Sequence, residues 1–235
     1  MSMKKIHVIS GGAAQGLVGQ LQERFAKEHG LAIEGTFGAV GAMRDRLLAG
    51  EPCDVLILTG ELVSNLASQG QMVSGSARAL GTVKTGVAVK KGAPMPDVST
   101  AKALEAALRA AKGIYFPDPQ KATAGIHFMK VLSMLGLRDE LAPALRPFPN
   151  GATAMRELAA AEGEHLLGCT QVTEILYTPG VQMVGQLPKK FELATMYTAA
   201  VCTRAADPAA AQALVAMLAG DDTRALRQAG GFEAA

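Results

Sequence analysis

The chain has 235 residues, 49% of them hydrophobic, enough to bury a core in one large domain or two modest ones and too apolar for disorder. A formal charge of +2, with lysines and arginines scattered in short doublets, gives no basic footprint for a nucleic acid or for insertion at a membrane. With no Trp and 4% aromatic residues, no stacking platform for bases or sugars is expected.

The first predicted element is a strand at Ile6–Ile9, directly behind Met1 to Lys5. Neither the apolar stretch nor the cleavage site of a secretory leader stands ahead of it. As the sequence stands it is expected to act in the cytoplasm, or in the periplasm if a leader has been removed. No segment is long and apolar enough to cross a bilayer. Ser10-Gly11-Gly12-Ala13-Ala14 predicts a tight turn, and Leu17, Val18, Leu21 and Phe25 then recur at helical spacing up to a cap at Gly30. Leu31–Phe37 alternates as a second strand. Gly38–Gly41 is a small-residue turn, and Met43, Leu47 and Leu48 mark the next helix. Asp54 opens Val55–Leu58, a strand apolar on both faces in the manner of a parallel sheet.

Gly81–Lys91 is a further strand, and Gly92-Ala93-Pro94-Met95-Pro96 behind it is the best candidate for a crossing between two lobes. A second α/β series follows: helix 100–111, strand Gly113–Phe116, turn Pro117–Thr123 and helix 124–135. After Pro147–Gly151 come helix 152–161 and the strand Leu166–Thr170. Leu193–Cys202 is a long strand that returns to the first lobe, and Ala-rich helices after Pro208 finish the chain. Strands alternating with helices in this way predict an α/β fold. Cys53, Cys169 and Cys202 are far apart and odd in number, without metal-ligand spacing. Buried free thiols are the expectation, a single disulfide stays open, and no metal site is expected.

Four times a loop of small residues leads from an extended segment into a helix: Ser10–Ala14, Gly38–Gly41, Thr123–Gly125 and Asn150–Ala152. Small residues let backbone approach a ligand, and the unpaired N–H groups of a helix's first turn attract anions.

At these loops the chain resembles a known family. Asp118-Pro119-Gln120-Lys121-Ala122-Thr123-Ala124-Gly125-Ile126-His127 resembles the Asp-Pro…Pro-Ala-Gly-Ile-Tyr segment of the molybdate-binding proteins of ABC transporters. Leu132…Leu135-Gly136-Leu137…Leu141 continues the likeness. Ala49-Gly50-Glu51-Pro52-Cys53-Asp54-Val55-Leu56-Ile57 and the closing Gly231-Phe232 are similar as well. The resemblance implies a type II periplasmic-binding-protein fold: α/β, two-lobed, each lobe a mixed sheet flanked by helices, with the ligand cleft between. Lobe one would comprise 1–88 and 192–235, and lobe two 89–191. It implies ligand contacts at Ser10, Gly11, Gly12 and Ala13, at Ala39 and Val40, at Thr123 and Ala124, at Gly151 and Ala152, and at Thr170 and Gln171. The family's two oxyanion-binding serines fall on Ala13 and on Ala39 or Val40, and its tyrosine on Gln171. Backbone donors are thus retained while hydroxyls are lost, which suits an organic carboxylate better than molybdate.

The leading expectation is a small-anion solute-binding protein, partnered by a transporter permease if exported. One alternative is an isomerase of an unsaturated polycarboxylate, similar to aconitate isomerase. It needs a base, for which His127, Lys84, Lys121 and Glu174 are candidates. Another is a ligand-sensing module. Neither a cofactor nor a nucleic-acid partner is expected. Enzyme activity is left open, because nucleophile-elbow, zinc-protease and phosphate-loop motifs are all missing.

Overall fold

The computed structural model describes residues 4–234, so Met1–Met3 and Ala235 lie outside the described residues. Two compact units form, one from Met1–Val83 with Thr195–Ala235 and the other from Lys84–Ala194. The sequence placed the crossings at 88/89 and 191/192, and the units change over at 83/84 and 194/195, both within strands. Gly92–Pro96 is a turn inside the second unit, with Gly92 at φ 85°.

In the first unit, β1 (Lys4–Gly11) leads through a short 3₁₀ turn at Gly12–Ala14 into α1 (Gln15–His29). Then follow β2 (Leu31–Gly38), α2 (Val40–Leu48), β3 (Val55–Thr59) and α3 (Gly60–Ser68). β4 (Arg78–Lys90) begins here and ends in the second unit. After the second unit, β9 (Ala194–Val201), α8 (Pro208–Ala219) and α9 (Arg224–Ala229) complete the first. β1 pairs in parallel with β2 and β3, and β3 pairs antiparallel with β9. Val55–Leu58 is fully buried, as a strand covered on both faces must be. Leu17, Val18, Leu21 and Phe25 form the buried face of α1, each contributing about 1.5–3 kcal/mol of transfer free energy. Gly30, at φ 69°, closes that helix by donating its N–H to Ala26 O. Asp54 ties three segments: its carboxylate accepts the His7 N–H at 2.7 Å and the Ala206 N–H at 2.6 Å.

The second unit continues β4 with α4 (Ala101–Ala110), β5 (Gly113–Pro117), α5 (Thr123–Met134) and β6 (Leu145–Phe148). α6 (Gly151–Ala160), β7 (Leu166–Gln171), α7 (Val172–Tyr177) and β8 (Val181–Gln186) follow. β7 is antiparallel to β4 and parallel to β5, β6 is parallel to β5, and β8 is antiparallel to β4. Strand alternation sorts the core. Val87 and Val89 join Leu104, Phe116, Phe128 and Leu132 on one side, while Ala88 joins Met155, Leu158 and Ile175 on the other. The elements the sequence did not announce are α3, β6, α7 and β8. Three of them span only four to six residues, too short for a period to show. The three cysteines are free and buried, with the Cys202 thiol 3.3 Å from that of Cys53.

Candidate functional site

The helix starts fall into two groups. Among the described residues, four helices of eight residues or more carry a side-chain cap. Thr59 accepts Leu62 N–H for α3, Thr100 accepts Ala103 N–H for α4, Asn150 accepts Thr153 N–H for α6, and Asp207 accepts Ala210 N–H for α8. α1, α2 and α5 carry none. They are also the helices entered from Ser10–Ala14, Gly38–Gly41 and Thr123–Gly125. Residues at or beside these starts are buried all the same: Ala13, Ala14, Ala39, Val40, Ala122 and Ala124 are each less than a tenth exposed. Buried helix starts with no side-chain cap are unusual in a finished fold and mark places for an outside acceptor.

In the first unit the backbone brings two of these loops together. A Cβ on Gly11 would fall 2.8 Å from Val40 Cγ1 and 3.1 Å from the Tyr197 ring, so only glycine lets the end of β1 meet the start of α2. Gly12 and Ala13 occupy the 3₁₀ turn just beyond. Ser10, fully buried at the end of β1, donates its hydroxyl to Gly11 O at 2.8 Å and keeps its acceptor capacity. Ala39 and Val40 are the cap position and first residue of α2.

The second unit builds its side at α5 and β7. Asp118 accepts the N–H groups of Gln120 and Lys121, at 2.7 and 2.9 Å, and so shapes the turn into α5. Gly125 lets that turn fold back on the helix, for a Cβ there would lie 2.2 Å from Pro117 O. Thr123 and Ala124 are the first two residues of α5. Gln171 ends β7 and is 3% exposed, and neither end of its side-chain amide has a partner among the described residues. Its register partner on β4, Thr85, is 1% exposed with an unpartnered hydroxyl, and Thr173 just beyond is in the same state. Unsatisfied buried polar atoms cost roughly 1–3 kcal/mol each, so a cluster of them points to a ligand that satisfies them.

One expected contact is spent elsewhere. The Thr170 hydroxyl donates to the carboxyl of Glu174 at 2.5 Å, and that carboxyl packs against Gly151, where a Cβ would fall 1.9 Å from Glu174 Oε2. Thr170 therefore serves an internal carboxyl that lies beside the start of α6. Burial pushes the Glu174 carboxyl above its ordinary range, against the Thr170 hydroxyl that pulls it down. The sequence signal was a Glu four residues beyond Thr170 on a strand-to-helix junction, together with a glycine opening α6.

Of the suggested bases, His127 places Nε2 2.8 Å from Phe191 O, which fixes its ring to the backbone. Lys84 pairs with Glu192 at 3.3 Å, and Lys121 is exposed on the turn before α5. A cavity of about 420 Å³ in the second unit is lined by Val89, Pro94, Met95, Ala107 and Leu167, and no candidate residue borders it. Among the described residues no cluster of metal-ligating side chains occurs, and no helix is long and apolar enough to cross a membrane.

Residues 6–233 match the family of bacterial extracellular solute-binding proteins. The chain is 28% identical to an aconitate isomerase of a Pseudomonas species, over 92% of this chain and 82% of that one. It is 24% identical to the molybdate-binding protein ModA of Escherichia coli K12, over 84% of this chain and 77% of the relative. Among solved structures, the periplasmic molybdate-binding protein of Azotobacter vinelandii superposes with a TM-score of 0.81 at 22% identity, covering 98% of this chain and 99% of the other. The mixed α/β architecture is that of the type II periplasmic binding proteins.

Proposed function

The chain belongs to the bacterial extracellular solute-binding proteins, and we propose that it binds a small organic carboxylate at uncapped helix starts, of which α1 and α2 are those of the first unit and α5 that of the second. The observation that carries this is the sorting of the caps. Among the described residues, every helix of eight residues or more that does not follow one of the four small-residue loops has a capping side chain, and three of the four that do have none. Gln171 adds an unpaired donor and acceptor, which suits a carboxylate oxygen or a ligand hydroxyl. Ala13, Ala39 and Val40 stand where the resembling family has hydroxyls, so a tetrahedral oxyanion would lack donors that a carboxylate with a carbon skeleton does not need. As a solute-binding protein it would deliver its ligand to a membrane permease.

A thermal-shift screen of molybdate, tungstate, sulfate, phosphate, citrate, cis-aconitate and trans-aconitate tests this. At a hundredfold excess over Kd, a ligand that binds only the folded state adds roughly 2.7 kcal/mol. Carboxylates should give the largest shifts, and a largest shift from molybdate would refute the carboxylate preference.

The 28% likeness to an aconitate isomerase favours a second reading, catalysis on the same ligand class. A base would take a proton from the methylene carbon of the aconitate, the double bond would shift, and a proton would return to the former vinyl carbon. Helix starts would stabilise the intermediate carbanion. His127 and Lys84 are held by Phe191 and Glu192, and Lys121 is exposed, which makes each a poor base as it stands. Incubation with cis-aconitate followed by proton NMR separates the readings: trans-aconitate accumulates under the second only.

A further inference from the structure

The first unit is made of two separated stretches of chain, Met1–Val83 and Thr195–Ala235, and a pair of thiols bridges them. We propose that Cys53 and Cys202 are the two halves of a disulfide, which forms on exchange with a small disulfide oxidant and staples the two stretches together. Three cysteines allow three pairings, and the structure assigns one of them. The staple does not depend on which ligand the protein binds.

Cys53 stands two residues ahead of β3, and Cys202 follows the last residue of β9. The two strands are antiparallel neighbours, so both positions come to the same end of the sheet. There the Cys202 N–H donates to Asp54 O at 2.9 Å and holds the two backbones side by side. The Cys202 thiol donates to Cys53 Sγ at 3.3 Å, and the Cys53 thiol donates to Val55 O at 3.3 Å. A disulfide bond is about 2.05 Å long, so the sulfurs have to close by only about 1 Å, within reach of side-chain rotation. Cys169 does not compete. It lies on β7 in the second unit, packed with Val87, Phe116 and Leu167, and burial pushes its thiol far above the ordinary range. Nor does the pair touch the ligand loops of the first unit. Gly11 and Gly12 follow the far end of β1, which runs parallel to β3.

A cavity of about 130 Å³ opens beside the two thiols, bordered by Gly50, Pro52, Gln71 and Arg204. It gives a small oxidant a way to sulfurs that are otherwise buried. The Arg204 guanidinium favours a thiolate there, while the Asp54 carboxyl opposes it. Accepting from Cys202 leaves Cys53 as the attacking sulfur. Its thiolate attacks one sulfur of the oxidant, a mixed disulfide forms, and the first small thiolate leaves. Cys202 then loses its proton and attacks Cys53 Sγ, the mixed disulfide breaks, and the second small thiolate leaves. The two protons given up by the cysteines end on the two released thiols, so the protein pair is oxidised and the small disulfide reduced. The contact with Cys53 and burial both raise the Cys202 thiol, which makes the second step the slow one. The cysteines are 149 positions apart, and the loop that the bond closes holds the whole second unit. So long a loop takes much freedom from the unfolded chain.

Refolding the reduced protein from urea in 2-hydroxyethyl disulfide and 2-mercaptoethanol tests the assignment, with alkylation and peptide mass mapping as the readout. Most molecules should carry a Cys53–Cys202 link and a free Cys169. The linked protein should melt about 10 °C above the same protein reduced with a phosphine. Cys202→Ala should melt alike in the two buffers. Links that include Cys169 as often as the assigned pair, or Cys53 and Cys202 left unlinked, would overturn the proposal. So would a linked protein that melts no higher than the reduced one, or a shift in Cys202→Ala as large as in wild type. If Cys202→Ala does not fold, the mapping and melting of wild type decide alone.

Discussion

Helices α5 and α6 both follow a short loop behind a strand in the second unit, and each needs a glycine where the chain folds back on its start. At α6 the protein meets part of the demand of the first turn from within, with Asn150 accepting the Thr153 N–H and the Glu174 carboxyl packed beside Gly151. At α5, Ala122 stands at the cap position and offers no acceptor. The difference teaches that a small-residue loop ahead of a helix is only half of an anion site. The other half is the absence of an internal acceptor, and that acceptor can come from a different helix. Capping α6 stabilises the fold at once, whereas leaving α5 open defers part of the stabilisation until an anion arrives.

The largest expected effect comes from the two glycines. Gly125→Ala would push a Cβ against the carbonyl oxygens of Pro117 and Asp118, both backbone atoms that cannot swing aside. A loss of about 3 kcal/mol is expected, at the upper end for overpacking. Gly151→Ala meets first the side chains of Glu174 and Thr170, which can rotate away while losing their hydrogen bond, so about 2 kcal/mol is expected. Urea unfolding of both variants measures the gap. An equal or reversed order would mean that Glu174 and Thr170 are held as rigidly as backbone.

Gln171→Ala sharpens the comparison from the ligand side. Ligand affinity should drop by about 1–3 kcal/mol, while the free protein keeps or slightly gains stability because an unsatisfied buried amide is gone. Titration calorimetry beside urea unfolding separates the two quantities. Loss of stability without loss of affinity would make Gln171 a structural residue.

Exchanging the cap pattern gives a smaller effect with opposite signs. Asn150→Ala should cost about 1 kcal/mol in the free protein, the usual worth of a cap. Ala122→Ser should add up to about 1 kcal/mol, because Ala122 already has the extended backbone a capping serine uses. The same serine should weaken ligand binding, since it competes for the N–H groups of α5. Unchanged affinity in a more stable Ala122→Ser protein would remove α5 from the site.

Much of this was readable from residues alone. Phe25 and its apolar neighbours at helical spacing gave α1, Val55–Leu58 gave a strand buried on both faces, and both did so because burial enforces a period. The loops before α1, α2 and α5 were legible because runs of Gly and Ala mark close backbone approach, as Gly11 and Gly125 show. The fate of α6 was not, because the separate signals at Gly151 and at Glu174 do not show that the two residues meet. Thr170 looked like a ligand contact for the same reason: a hydroxyl at a strand end has the same sequence signature whether it faces a ligand or a glutamate. His127 sat at the right place in the helix, yet Phe191, far along the chain, captures its ring.

The smallest expected effect is a pH dependence that belongs to α6 and has no counterpart at α5. Burial raises the Glu174 carboxyl above its ordinary value of 4.5, more than the hydrogen bond from Thr170 lowers it. A group whose pKa is raised on folding contributes most below the unfolded value, and that contribution disappears as pH rises through the folded value. Glu34, Asp97, Glu192 and Asp222 are shifted down by their partners and act in the opposite sense, losing their contribution as pH falls. They are common to wild type and Glu174→Gln, so they cancel in the difference between the two proteins. Glutamine does not titrate. The stability of wild type relative to Glu174→Gln should therefore be greatest in acid, at or below pH 4.5, and should decline as pH rises from there through the raised folded value. Urea unfolding of both proteins across that range measures it. A difference that stays flat, or that grows with pH, would mean that hydrogen bonding outweighs burial and holds Glu174 ionised throughout.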